Sequence, residues 1–179
     1  MSVQFENVLN RLHTTSNRKA LQALDEMRSE GWLTDGTMQG VAFCRAPLQG
    51  ANLEGANLCC AGFHQANLEA ANLCGALLRA AKFSLCNLNG ADLKDAKLEN
   101  ADFYKANLRG AQNLTDDQIL SASRFLGATM PDGKRYDGRF SLFGDLALAE
   151  WNGVNTGDPH AMAEFYGVPF EVYAQGQGK

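Results

Sequence analysis

The chain has no run of about twenty apolar residues, which excludes a membrane-spanning helix. It has no cluster of lysines and arginines, and its formal net charge is −4, so nothing in it is suited to tracking a phosphate backbone. Its three histidines, His13, His64 and His160, are scattered, and its five cysteines show no CxxC spacing. Structural zinc uses paired ligands at short fixed spacing, so no metal site is expected, and no cofactor motif is present. An odd cysteine count without paired spacing points to free thiols and a reducing, cytoplasmic setting. The opening stretch, MSVQFENVLNRLH, is amphipathic and carries an acid, unlike a signal peptide.

What the chain does have is a five-residue repeat from Val41 to Gly110, fourteen units without an insertion. The third place is always Leu or Phe: Phe43, Leu48, Leu53, Leu58, Phe63, Leu68, Leu73, Leu78, Phe83, Leu88, Leu93, Leu98, Phe103 and Leu108. The first place is Ala except at Val41 and Cys86, and the second is mostly Asn or Asp. A period of five fits neither the helix nor the strand. It fits a solenoid, in which no unit buries its apolar residue alone and stacking supplies the core. The four Phe of this series share a twenty-residue phase, which chance would give roughly once in five hundred arrangements. One coil therefore contains four units, and residues i and i+20 stack. The coil is four-sided, with one wall floored by an aromatic ladder and three by Leu. Coils should sit about 4.8 Å apart, the spacing of hydrogen-bonded strands. Leu or Phe fills the interior, Ala is small enough to share it, and Asn or Asp suits the tight corners.

Units such as ANLEG, ANLCC, ADLKD and ADFYK resemble the pentapeptide-repeat proteins, whose pattern is Ala, Asn/Asp, Leu/Phe and two variable residues. The resemblance implies a right-handed, quadrilateral parallel β-helix, with the centre residue and the Ala before it inward and the other three places outward. Gly62, Leu77, Lys82 and Lys97 depart from the Asn/Asp place. The expected fold is thus an all-β core of about four coils with α caps. Residues 1–32 form an N-terminal helical cap, 33–112 the repeat β-helix, and 113–179 a C-terminal cap with a helical tail.

Val8, Leu9 and Leu12 give the first helix an apolar stripe, and Leu21, Leu24 and Met27 share a face of a second, capped by Ser16 or Asn17. This cap should cover the open first coil, because an exposed edge invites pairing with another chain. Met38 is already in phase with the repeat. After Gly110 the register breaks. Thr115 with Gln118 reads as a capping box, opening a short helix to about Phe125. Two Asp-Gly pairs, at 132–133 and 137–138, read as tight turns. Asp158-Pro159 and Pro169 mark helix starts in the tail. From Phe140 to Gly178 there are five acids and no Lys or Arg.

Trp151, Phe165, Tyr166, Phe170 and Tyr173 are numerous for covering one small end, and form a candidate interface for a protein partner or a second copy of the chain. The expected function is a non-enzymatic protein-interaction module or scaffold that presents flat walls. Some members of the family that the repeat resembles mimic DNA and bind type II topoisomerases, so regulation of such an enzyme is the alternative. Against it, the repeat from Val41 to Gln112 carries seven cations and six acids. A third reading, a thiol enzyme, rests on Cys44 and His64 stacking one coil apart. A contiguous acidic wall would favour mimicry, and a cleft at Cys44 would favour the enzyme. A mixed-charge wall beside an apolar tail would favour the scaffold.

Overall fold

In the computed structural model, residues 3–178 are described; Met1, Ser2 and Lys179, which the sequence assigns to the two caps, lie outside the described residues. The core is a coil of twenty residues per turn. Eleven parallel single-residue bridges join second-place residues at a spacing of twenty, from Ala42 with Gly62 to Asp92 with Gln112. All fourteen centre residues, Phe43 to Leu108, are at most 1% exposed, and the first-place Ala and Cys86 are buried with them. The Phe rings stack face to face, with centroids 4.8, 5.0 and 5.0 Å apart from Phe43 to Phe103.

Each corner is a turn closed by a hydrogen bond from the next first-place N–H to the centre carbonyl, as in Ala46 N–H to Phe43 at 3.0 Å. The fifth place carries positive φ at every corner, whether Gly (Gly75, 63°) or not (Leu85, 60°; Ala70, 54°). This is the geometry of a type II turn. One amide per unit, at the fourth place, finds no partner in the ladder. Asn or Asp at the second place accepts from it: Asn52 from Glu54, Asn72 from Cys74, Asp92 from Lys94 and Asp102 from Tyr104, at 2.8–3.1 Å. That local bond is why the repeat favours Asn and Asp. Asn67, Asn87 and Asn107 also link to one another between coils, at 3.0 and 3.2 Å.

The two ends of the coil expose different groups. The first coil leaves second- and fourth-place carbonyls open, and the N-terminal cap supplies donors. α1 (Val3–Leu12) and α2 (Asn17–Ser29) bury Phe5, Val8, Leu12, Leu24 and Met27, with Leu9 and Leu21 partly covered. Ser16 caps α2 by accepting from Lys19 N–H. Asn17 is therefore free to donate from Nδ2 to the Pro47 and Gln49 carbonyls, both at 3.0 Å. Arg28 donates to the Asn52 carbonyl at 2.8 Å.

Stacking also crosses the expected boundary at 112/113. Asp102 pairs with Arg124 and Asn107 with Thr129, now twenty-two residues on. The two extra residues belong to a bulged excursion holding α3 (Asp116–Ser121), which starts with the expected capping box at Thr115 and Gln118. The helix stops short of the expected Phe125, because Phe125 is the next rung of the ladder, 4.7 Å from Phe103. Gln118 Nε2 donates to the Ala96 carbonyl and, beside the corner bond from Ala96 N–H, to the Leu93 carbonyl. The chain then turns back at Asp132-Gly133, so that Arg135 pairs antiparallel with Thr129 and ends the coil. The tail follows as α4 (Phe143–Trp151), α5 (Pro159–Tyr166) and α6 (Phe170–Gln177). Asp158 caps α5 ahead of Pro159, as the sequence suggests.

Candidate interaction surfaces

The tail is anchored to the coil by one buried acid. Asp145, in the first turn of α4, is 0% exposed and accepts from Phe125 N–H (3.2 Å) and Leu126 N–H (3.0 Å). Phe125 N–H is an amide that a further coil would have bonded, and Leu126 N–H is a fourth-place amide whose second-place residue, Arg124, has no acceptor for it, so the carboxylate stands in for both. Burial pushes its pKa up to about 6, against the pull of those two amides and of Arg124. The Tyr166 hydroxyl is buried near it, and burial raises the Tyr166 and Tyr136 hydroxyls above their ordinary range. Nothing in the sequence around Asp145 singles it out, because its partners are backbone amides about twenty residues away.

The five aromatic residues expected at an interface divide. Tyr166 (1% exposed) and Tyr173 (7%) are core residues, not contact residues. Tyr166 packs edge-on to Tyr136, which itself sits over Phe125, so the aromatic ladder runs on into the tail. Tyr173 stacks on Tyr166. Phe165 is half-buried against the same core. Phe170 lies at the surface, stacked on His160 with centroids 3.9 Å apart. Trp151 is 83% exposed, and so is Phe143, which the sequence reading missed. With exposed Ala147 between them, these residues lie at i, i+4 and i+8 and make an apolar stripe on the solvent side of α4. The signal was present: α4 reads FGDLALAEW, apolar on more than one side, which is more than one buried face can use.

The outward places of the coil differ wall by wall. The Phe wall carries Arg45, Lys82, Lys105 and Arg124 against a single acid, Asp102, a net of +3. Tyr104 is held there between Lys105 (5.0 Å to the ring centroid) and Arg124 (5.9 Å). The Leu wall that begins at Ala51, Ala71 and Ala91 carries Glu54, Asp92 and Asp95 against Lys94, a net of −2. Cys44 and His64 both lie exposed on the Phe wall, and the Cys44 thiol points to the Gly62 carbonyl at 3.8 Å. The three described concavities, about 300, 400 and 210 Å³, include neither residue. Among the described residues no group of His, Cys, Asp and Glu is placed to hold a metal ion. Among the described residues no helix is long and apolar enough to cross a membrane.

A four-sided coil with a centre-Leu/Phe, first-place-Ala repeat and corner Asn/Asp defines a repeat-built β-solenoid. The pentapeptide-repeat profile matches it in eight copies over residues 38–75 and 71–110. Residues 38–110 of this chain thus match the pentapeptide-repeat family.

Among solved structures, the coil is similar to HetL from the cyanobacterium Nostoc sp. strain PCC 7120, a pentapeptide repeat protein involved in heterocyst differentiation regulation. The two share 39% identity over 54% of this chain and 41% of that one, with a TM-score of 0.43. A pentapeptide repeat protein of the Arabidopsis thaliana thylakoid lumen matches 52% of this chain and 60% of its own at 28% identity, TM-score 0.43. The plasmid-mediated fluoroquinolone resistance protein QnrB1 matches 50% of this chain and 63% of its own at 19% identity, TM-score 0.20. The chain thus spans less than two thirds of the length of each of these three. No curated protein sequence matches it.

Proposed function

We propose that the protein is a non-enzymatic interaction module: a rigid repeat core, right-handed as the family resemblance implies, that holds a helical docking element at one end. The observation that carries this reading is the α4 stripe, with Phe143 and Trp151 both 83% exposed on a helix anchored through buried Asp145. Large aromatics cost little entropy to order and dominate protein interfaces, and fixed exposure of two on one helix marks a contact surface. Regulation of a DNA-handling enzyme by mimicry is the less favoured reading, because acid predominates on one Leu wall while the Phe wall is basic. The setting we propose is a reducing, cytoplasmic one, in keeping with five free thiols.

A photo-crosslinking amino acid placed at Phe143 or Trp151 in cells tests the reading. We expect adducts of discrete mass that contain protein, and none from the same probe at Asp117 on α3. Absence of protein adducts from both α4 positions would remove α4 as a docking element.

A further inference from the structure

The chemistry of the tail limits what can cover the stripe. Between Phe140 and Gly178 it has no Lys or Arg, while Glu150, Asp158, Glu164 and Glu171 are exposed. Any face that the tail presents is therefore neutral or negative. Two tails joined about a two-fold axis would set acid against acid, and like charges at an interface cost affinity. A basic counter-surface complements such a face best.

The Phe wall is basic, with four cations against one acid. It also offers a place for rings. Four of its outward places in the first coils are small, Ala42, Cys44, Gly62 and Ser84, interleaved with exposed His64 and Gln65, and Leu85 beside them is 43% exposed. Arg45, Lys82 and Lys105 rim this shallow strip of mixed polarity, and cations attract the face of an indole or phenyl ring. The lengths agree. Eight residues of helix separate Phe143 from Trp151 by about 12 Å. Two to three steps of the wall, each 4.8–5.0 Å, bracket that distance.

We infer that the α4 stripe of one copy docks on the Phe wall of a second copy. This rests on α4 being the docking element. The contact is heterologous: each molecule in a pair keeps one free stripe and one free wall, so association continues rather than closing at two. Glu150 beside Trp151 faces the cationic rim, and salt weakens the contact.

Light scattering and sedimentation of the full chain over a range of concentrations test the inference. We expect an average mass that rises past that of a dimer at low salt, with association weaker by about tenfold at high salt. Two paired variants, both at exposed positions, separate the surfaces. Lys82→Glu with Lys105→Glu blocks the wall, and Phe143→Ser with Trp151→Ala blocks the stripe. Each alone should be monomeric, and an equimolar mixture should form a one-to-one dimer and nothing larger. If the wall variant still dimerises while the stripe variant does not, the tails pair with each other, and the inference falls while α4 stays a docking element. A full-length protein that is monomeric throughout overturns the inference. Crosslinks from Phe143 to a different protein would then keep the proposed function. If the wall variant changes only retention by duplex DNA, the Phe wall serves a polyanion and the inference is likewise overturned.

Discussion

The coil and the tail use apolar residues in opposite ways. In the coil, every centre-place Leu or Phe has an identical neighbour one rung away, and none of the fourteen is more than 1% exposed. In the tail, three short helices share one small core built on Tyr136, Tyr166 and Tyr173, and leave Phe143 and Trp151 in solvent. A repeat core spreads its stability over many equivalent contacts, whereas a short helix depends on what it is packed against. Precision of position comes from the coil, and freedom to present a surface comes from the tail.

The sharpest way to break the contrast is to damage one rung. Phe83→Asp buries an unpaired charge between Phe63 and Phe103 and should cost more than about 4 kcal/mol. We expect loss of soluble folded protein, read by circular dichroism and gel filtration; a folded variant would contradict the inward assignment of the Phe column.

The second effect falls at the junction. Asp145 has a folded pKa of about 6, above the ordinary 3.8, so the folded protein holds this proton more tightly than the unfolded chain does. Its contribution is greatest below pH 3.8 and is lost as the pH rises through 6, about 3 kcal/mol across that window. Asp35, Asp92 and Glu99 are held below their ordinary range and act in the opposite sense, losing stability as the pH falls. The comparison with Asp145→Asn cancels them. Unfolding midpoints of the two proteins should converge at acid pH, and the variant should gain relative to the parent as the pH approaches 7. A constant difference across that range would show that Asp145 titrates normally.

Smaller effects should come from the corners. Ala70 occupies a left-handed conformation (φ 54°) where Gly is at ease, so Ala70→Gly should stabilise by about 0.5–1 kcal/mol in chemical denaturation. A loss of stability would mean that the corners tolerate side chains without strain. Smallest of all, Trp151→Ala should change the unfolding free energy by less than about 0.5 kcal/mol, because the indole touches mostly water. A larger loss would show that the indole belongs to the core of the tail.

The same contrast explains what could be read from the chain. The coil was legible because one residue type recurs at one place, and the shared Phe phase gave the turn length as well. Phe125 escaped because its rung lies twenty-two residues beyond Phe103, past a helix whose capping box is itself a strong local signal. Tyr166 and Tyr173 were read as interface because α5 and α6 carry apolar groups on more than one side, and only their packing selects the buried face. Asp145 was silent because its role depends on amides that the coil leaves open, and a lone Asp in a short helix looks like any surface acid.

The unlike ends of the coil have one more consequence. The lower rim leaves second- and fourth-place carbonyls that take donors from Asn17 and Arg28, while the upper rim leaves centre amides that take Asp145 as acceptor and first-place carbonyls that take Gln118 as donor. Each rim is what the other lacks. A core stripped of its caps would therefore be a directional template, to which a second core adds in one orientation and in steps of a whole turn. The caps act as terminators that keep a self-complementary rod from becoming a fibre, and their loss should appear first as growth in length.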